Sequence, residues 1–121
     1  MSDKLKDGGE RMSFGENAAI REPSTGKGRF DLISPFFSKR LAIHFEKGAQ
    51  KYFDRNWEKG MKFSRYLDSA ERHLAQFKMG LDDEDHLIAA IWNLAAIVHH
   101  QELGELEWDD LPHYLRKKDA E

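Results

Sequence analysis

The chain has no cysteine, which excludes a disulfide scaffold, a cysteine-ligated zinc and a cysteine nucleophile. It has no basic excess either. Nineteen Lys and Arg stand against 22 Asp and Glu, a formal net charge of −3, so nothing advertises nucleic acid as the main partner. The opening residues "MSDKLKDGGERMSFGE" lack the apolar segment of a signal peptide. The longest apolar run, Leu87 to Val98, is too short to span a bilayer and is interrupted by Asn93. A cytoplasmic protein without membrane contact is expected.

Several catalytic signatures are missing as well. "GKG" at 26–28 is too short for a phosphate-cradling loop, and no dinucleotide fingerprint occurs. There is no His-Glu-x-x-His zinc pair, and no serine sits in a nucleophile elbow. Asp85-His86 is the reverse of the His-Asp pair used by one class of metal phosphohydrolases.

What is present is helical periodicity. At 121 residues one domain is the simplest reading. Residues 1–28, rich in Gly, Ser and charge, read as a flexible N-terminal arm, and residues 29–121 as a single all-α domain. "SPFFSKRLAIHFEKGAQKYF" is the first long helix, with Pro35 suited to its first turn. Phe37, Leu41, His44, Phe45, Gly48 and Tyr52 form one face. Ala42, Glu46, Ala49 and Phe53 form another, leaving Glu46 either in a helix–helix interface or on the surface. "DRNWEKGMK" reads as a loop with Trp57 in its middle, either a plug into the core or a flat surface for a ligand base. "FSRYLDSAERHLAQFKMG" is the second helix, capped by Ser64 and stopped by Gly80. Its core stripe is Leu67, Ala70, Leu74 and Phe77, with Tyr66 and His73 to one side. A short turn or helix is expected around Leu111 to Leu115, followed by a charged tail. No internal repeat and no convincing strand appears. The fold class is a bundle of three long helices plus short helices.

The third helix follows "DDEDHLIAAIWN". Carboxylates at Asp82 to Asp85 suit a helix N-terminus. Beyond them the helix is apolar nearly all round, as a central packed helix is. Its polar exceptions, His86, Asn93 and His100, are seven apart and share a face. They form either an interhelical hydrogen-bond seam or the wall of a cavity.

Acids at the start of one helix, another at Glu46, and nearby Lys51, Arg55 and Arg72 suit Mg²⁺ or Mn²⁺ chemistry on a phosphate ester. Hard divalent cations prefer carboxylate oxygens, bind substrate phosphates and lower the pKa of a water.

"REPSTGKGRFDLISP", "HFEKGAQKYFDRNWEKG", "SRYLDSAERHL" and "DEDHLIAAIWN" resemble the successive motifs of the dATP/dGTP diphosphohydrolase family found largely in bacteriophages. That family is similar in turn to the all-α MazG-like nucleoside triphosphate pyrophosphohydrolases. The resemblance covers about residues 14–103. It implies hydrolysis of a purine deoxynucleoside triphosphate to monophosphate and diphosphate with Mg²⁺ or Mn²⁺, by a helical subunit working as a homo-oligomer. On the MazG pattern of paired acids, Asp68, Glu71, Glu84 and Asp85 are the expected metal ligands, although Ala89 stands where that pattern would place an acid. Glu46 and His86 are the expected proton acceptors. Lys27, Arg29, Lys51, Arg55 and Arg72 are expected to hold the triphosphate, and Asn56, Trp57 and Asn93 the base. Two other readings compete. One is a non-catalytic interaction module whose acids only cap a helix, and the other is a dNTP phosphatase with different products.

Overall fold

The computed structural model describes residues 12–13 and 15–117, and the chain divides into two units, 1–34 and 35–121. In the first, β1 (Met12–Ser13) pairs antiparallel with β2 (Ile20–Arg21), Met12 opposite Arg21 and Ser13 opposite Ile20. A 3-10 turn spans Phe30–Leu32. The pairing was not legible in the sequence because two residues per strand carry no alternation. Of the arm expected over residues 1–28, positions 1–11 and 14 lie outside the described residues.

The second unit is helical throughout its regular structure: α1 (Pro35–Lys51), α2 (Phe63–Lys78) and α3 (His86–Glu102), with 3-10 turns at Asn56–Lys59 and Leu106–Trp108. The all-α class and the three long helices stand as expected. Pro35 opens α1, where its missing N–H costs nothing. Gly80 ends α2 at a φ of 85°. The Leu81 amide donates to the Gln76 carbonyl and the Gly80 amide to that of Phe77, the paired closure that a left-handed residue after a helix permits.

The start of α2 corrects one expectation. Ser64 is the second helical residue, not the cap, and no side chain caps from Lys62. Asp110 does so from far along the chain. It accepts the Ser64 amide at 2.9 Å and also the Ser64 hydroxyl, so the C-terminal segment satisfies an otherwise orphaned helix donor. Of the turn or helix expected around Leu111–Leu115, the segment forms a turn at 114–115, closed by the Arg116 amide on the His113 carbonyl at 3.0 Å. Leu111 and Trp108 pack against the core while Tyr114 is exposed. Part of the charged tail, 118–121, lies outside the described residues.

α3 is the central element and packs most extensively on α2. Ile88, Ala89, Ala90 and Ala96 are buried, and the small alanines let α2 approach closely. The face of α2 turned to α3 is Phe63, Tyr66 and Ala70, not the stripe read from periodicity. Of that stripe Ala70 is buried and Leu67 half-buried, but Leu74 and Phe77 are exposed. α1 sits more loosely. No residue of it is buried, and Leu41, His44 and Phe45 are half-buried while Tyr52 is exposed. Phe45 meets Trp57 and Trp92 with ring centroids 5.5 and 6.3 Å apart.

Gly60 joins the two halves of this packing. Its φ of 90° and ψ of 163° lie in a region open essentially to glycine alone. A Cβ there would fall 2.5 Å from the indole nitrogen of Trp108. Gly60→Ala therefore destabilises the unit by about 1–3 kcal/mol from backbone strain alone, and displaces Trp108 in addition. Thermal melts check this, with a fall of at least about 4 °C expected.

Candidate functional site

Three polar pairs join α2 to α3. The His100 ring Nε2 lies 3.3 Å from the Tyr66 hydroxyl. Asn93 donates Nδ2 to the Ser69 hydroxyl at 3.3 Å and to the Ala89 carbonyl at 2.8 Å. His73 and His86 approach Nδ1 to Nδ1 at 2.9 Å. The partners run 66, 69, 73 on α2 against 100, 93, 86 on α3, so the helices are antiparallel. His86, Asn93 and His100 are 2%, 5% and 0% exposed. Of the two readings open from their spacing, each of the three gives one polar atom to the seam, and Asn93 also lines a cavity. His100 is fixed further by Glu105, whose carboxylate accepts from Nδ1 at 2.8 Å.

Beside the Asn93–Ser69 pair a cavity of about 920 Å³ opens between α1, the 3-10 turn Asn56–Lys59 and α3, with Ser69 of α2 also lining it. Glu46, Arg55, Asn56, Trp57 and Asn93 line it together with Trp92 and His44. Residues expected separately as proton acceptor, phosphate ligand and base ligands thus line one cavity. Trp57 packs against the core, as a plug would. Its ring packs at 4.6 Å from His99 and 6.4 Å from Trp92, and it also faces the cavity. Arg55 holds a left-handed φ of 61° and is paired with Glu58 at 2.7 Å. The Asn93 amide must turn its nitrogen to the Ala89 carbonyl, so Oδ1 is the atom left to accept from a ligand.

A second, smaller hollow lies at the start of α3, lined by Arg40, Ile43, His44, Lys47, Glu84, Asp85 and Ile88. His44 lines both spaces. Asp85 is the cap of α3, accepting the Ile88 amide at 3.1 Å. It also takes a two-pronged hydrogen bond from Arg40 at 2.9 and 2.6 Å, which holds its carboxyl below the usual range. Asp83 accepts from His86 Nε2 at 2.7 Å, which lowers its carboxyl likewise. Glu84 is exposed, and one of its oxygens falls within 4.8 Å of a nitrogen each of His73 and His86.

Other expected site residues are placed elsewhere. Asp68 and Arg72 pair with each other at 2.9 Å on the exposed side of α2, and Glu71 is exposed there too. None of the three lines either space. Lys51 is exposed at the end of α1, its ammonium 5.5 Å from the Tyr52 ring centre. In the first unit Arg29 forms a two-pronged pair with Asp31 at 2.8 Å, and Lys27 is exposed. His86 is buried with both ring nitrogens engaged.

Sequence reading passed over Arg40, His44 and Lys47, three residues at spacings of four and three on α1. The spacing was visible, but His44 was absorbed into an apolar face. Burial pushes its imidazole pKa down, opposed by Glu84 and Asp85 and reinforced by His73 and Lys47. His73 is also depressed, by burial first. An unfolded imidazole titrates near about 6.5, so below that pH the unfolded chain binds the extra protons. Stability is then full above about pH 6.5 and lost as pH falls through the lower folded values. Melting midpoints should drop between about pH 7.5 and 5.5, and His44→Gln should flatten that slope.

The helices, both 3-10 turns of the second unit and Asp110 all fall within one match to known proteins. A family model described as dATP/dGTP diphosphohydrolase, N-terminal, matches residues 17–110. No curated protein and no solved structure matches the chain significantly. The match spans both spaces described above, with every residue that lines them, and the chain belongs to the dATP/dGTP diphosphohydrolase N-terminal family.

Proposed function

We propose that the chain hydrolyses dATP or dGTP to the deoxynucleoside monophosphate and diphosphate, in the cytoplasm and with a divalent cation, Mg²⁺ or Mn²⁺. The observation that carries this reading is the cavity of about 920 Å³, large enough for a nucleotide, inside the segment matched to the family. Trp57 and Trp92 offer flat apolar walls to a purine. Asn56 and the Asn93 carbonyl oxygen give it hydrogen-bonding edges. The triphosphate points past His44 toward Arg40 and Lys47, which stand in the adjoining hollow with Glu84 and Asp85.

When bound, the cation neutralises phosphate charge and makes water a better nucleophile. Among Asp83, Glu84 and Asp85, only Glu84 is not already committed to another side chain, so it is the acid proposed to hold the cation. Glu46, exposed on the cavity wall, takes the proton from the attacking water. The new bond forms between that water oxygen and the α-phosphorus, and the bond to the bridging oxygen breaks with diphosphate leaving. Arg40 and Lys47 hold the charge that collects on the departing group, and Arg55 stays on the cavity side with Asn56 and Trp57. His86 has no nitrogen to spare for this, so the proton-accepting role falls to Glu46 alone. Arg72, Asp68 and Glu71 have no part in it.

We also propose a homo-oligomer. Phe36, Ile43 and Phe53 on or beside α1, Phe77 on α2 and Val98 on α3 are exposed, and no residue of α1 is fully buried within one copy. Large exposed apolar side chains of this number are a usual mark of association surfaces.

Incubation with each dNTP and Mg²⁺ or Mn²⁺, followed by anion-exchange separation, tests the reaction. Monophosphate plus diphosphate from dATP or dGTP is expected. Untouched nucleotide sinks the proposal in favour of the interaction module, and single phosphates or triphosphate would make the chain a phosphatase. Glu46→Gln should lower kcat by roughly 10²–10⁴ with little change in KM, as loss of a general base does. Light scattering on the eluting protein should give a mass at least twice that of one chain.

A further inference from the structure

We propose that His73, His86 and Glu84 form a binding site for one first-row transition cation that prefers imidazole, such as Co²⁺, Ni²⁺ or Zn²⁺, over Mg²⁺. The site lies on the seam between α2 and α3. It shares Glu84 with the proposed reaction but does not depend on nucleotide hydrolysis, since binding is read without nucleotide.

The separation of the two rings is the first argument. Nδ1 of His73 and Nδ1 of His86 are 2.9 Å apart. Two nitrogens each about 2.1 Å from one ion stand roughly 3.0–3.4 Å apart at right or tetrahedral angles. The pair is therefore spaced almost as ligands of a common cation are, before any cation is added. An oxygen of Glu84 completes a set whose atoms all lie within 4.8 Å of one another. Glu84 is exposed, so its carboxylate can swing the remaining distance at little cost.

The second argument is the outer partner of His86. A carboxylate only accepts, so His86 Nε2 carries the hydrogen that Asp83 receives at 2.7 Å. In the neutral ring Nδ1 then holds a lone pair, aimed at His73. A carboxylate behind the far nitrogen of a ligating histidine is the common way to fix ring orientation and raise its basicity. Consequently His73 donates its Nδ1 hydrogen in the metal-free chain. Binding requires that hydrogen to leave Nδ1 and appear on Nε2, a change of tautomer with no change in ring charge. Two nitrogens and one oxygen suit Zn²⁺, Co²⁺ or Ni²⁺, whereas Mg²⁺ wants oxygen throughout.

The test uses the full chain stripped with chelator and titrated calorimetrically with Zn²⁺, Co²⁺ or Mg²⁺ alone. One Zn²⁺ or Co²⁺ per chain is expected, at least tenfold tighter than Mg²⁺, with a visible Co²⁺ absorption band. Nitrogen-15 NMR of the histidine rings should show the His73 tautomer change. Glu84→Gln and His73→Gln should each weaken Zn²⁺ at least tenfold, while His113→Gln and Glu71→Gln should leave it unchanged. Because Glu84 is exposed, its variant keeps the fold even where a histidine variant does not, and circular dichroism verifies that. No Zn²⁺ or Co²⁺ binding overturns the proposal. So does binding that Glu84→Gln weakens while a folded His73→Gln leaves it intact, which would place the ion among the acids alone. Equal affinity for Mg²⁺ overturns it as well.

Discussion

Three polar side chains on α3 are taken out of water, and each must recover its hydrogen bonds from inside the protein. An unpaired donor or acceptor at such a position costs about 1–3 kcal/mol. His86, Asn93 and His100 meet part of that need locally, at Asp83, the Ala89 carbonyl and Glu105, and the rest when α2 lies antiparallel at one particular register, with His73, Ser69 and Tyr66 opposite. Apolar contact between two helices tolerates sliding, but three fixed polar pairs do not. The alanines beside them let the backbones come close enough for such short side chains to meet. A spacing of seven residues drifts slowly around a helix, so the pairs stay aligned only if the two helices wrap gently about each other.

The same helix also lines the cavity. Asn93 belongs to both sides, giving its amide nitrogen to the seam and to the Ala89 carbonyl while lining the cavity. Trp92 stands next to it, 5.3 Å from the His44 ring across the gap to α1. Rigid packing on one side of α3 thus fixes the far wall of the cavity. The near wall, α1, has half-buried but no fully buried residues and is held by the Arg40–Asp85 pair and by aromatic contacts. Most exposed ion pairs contribute little to stability, but two-pronged Arg–carboxylate geometry is the exception, and here it ties α1 to the mouth of α3.

How much of this could be read from the chain differs residue by residue. The helices were legible because their apolar spacing is long and regular, and Pro35 and Gly80 mark ends by chemistry that acts locally. The burial of His86, Asn93 and His100 was legible from their shared face on an otherwise apolar helix. The opposite partners were not, because pairing with Tyr66, Ser69 and His73 depends on register, which no spacing within one helix reveals. Leu74 and Phe77 misled for a related reason: α2 carries two apolar faces, and periodicity cannot tell which one meets α3. The cap on α2 was hidden because its donor and acceptor are 46 residues apart. Glu46, Asn56, Trp57 and Asn93, expected from family motif order, line one cavity, whereas Asp68 and Glu71 followed a MazG pattern that this geometry does not bring to the cavity.

All three tryptophans of the chain stand at or near this cavity. Trp57 and Trp92 are in its wall with ring centres 6.4 Å apart, and Trp108 rests on Gly60 beside the same 3-10 turn. At such spacing excitation passes readily from one indole to another, so the emission of the whole chain is governed by whichever ring is quenched. An aromatic ring stacking on Trp57 would darken the others as well. The packing that shapes the cavity also makes the protein its own optical gauge of occupancy, with no label attached and no background from a remote tryptophan.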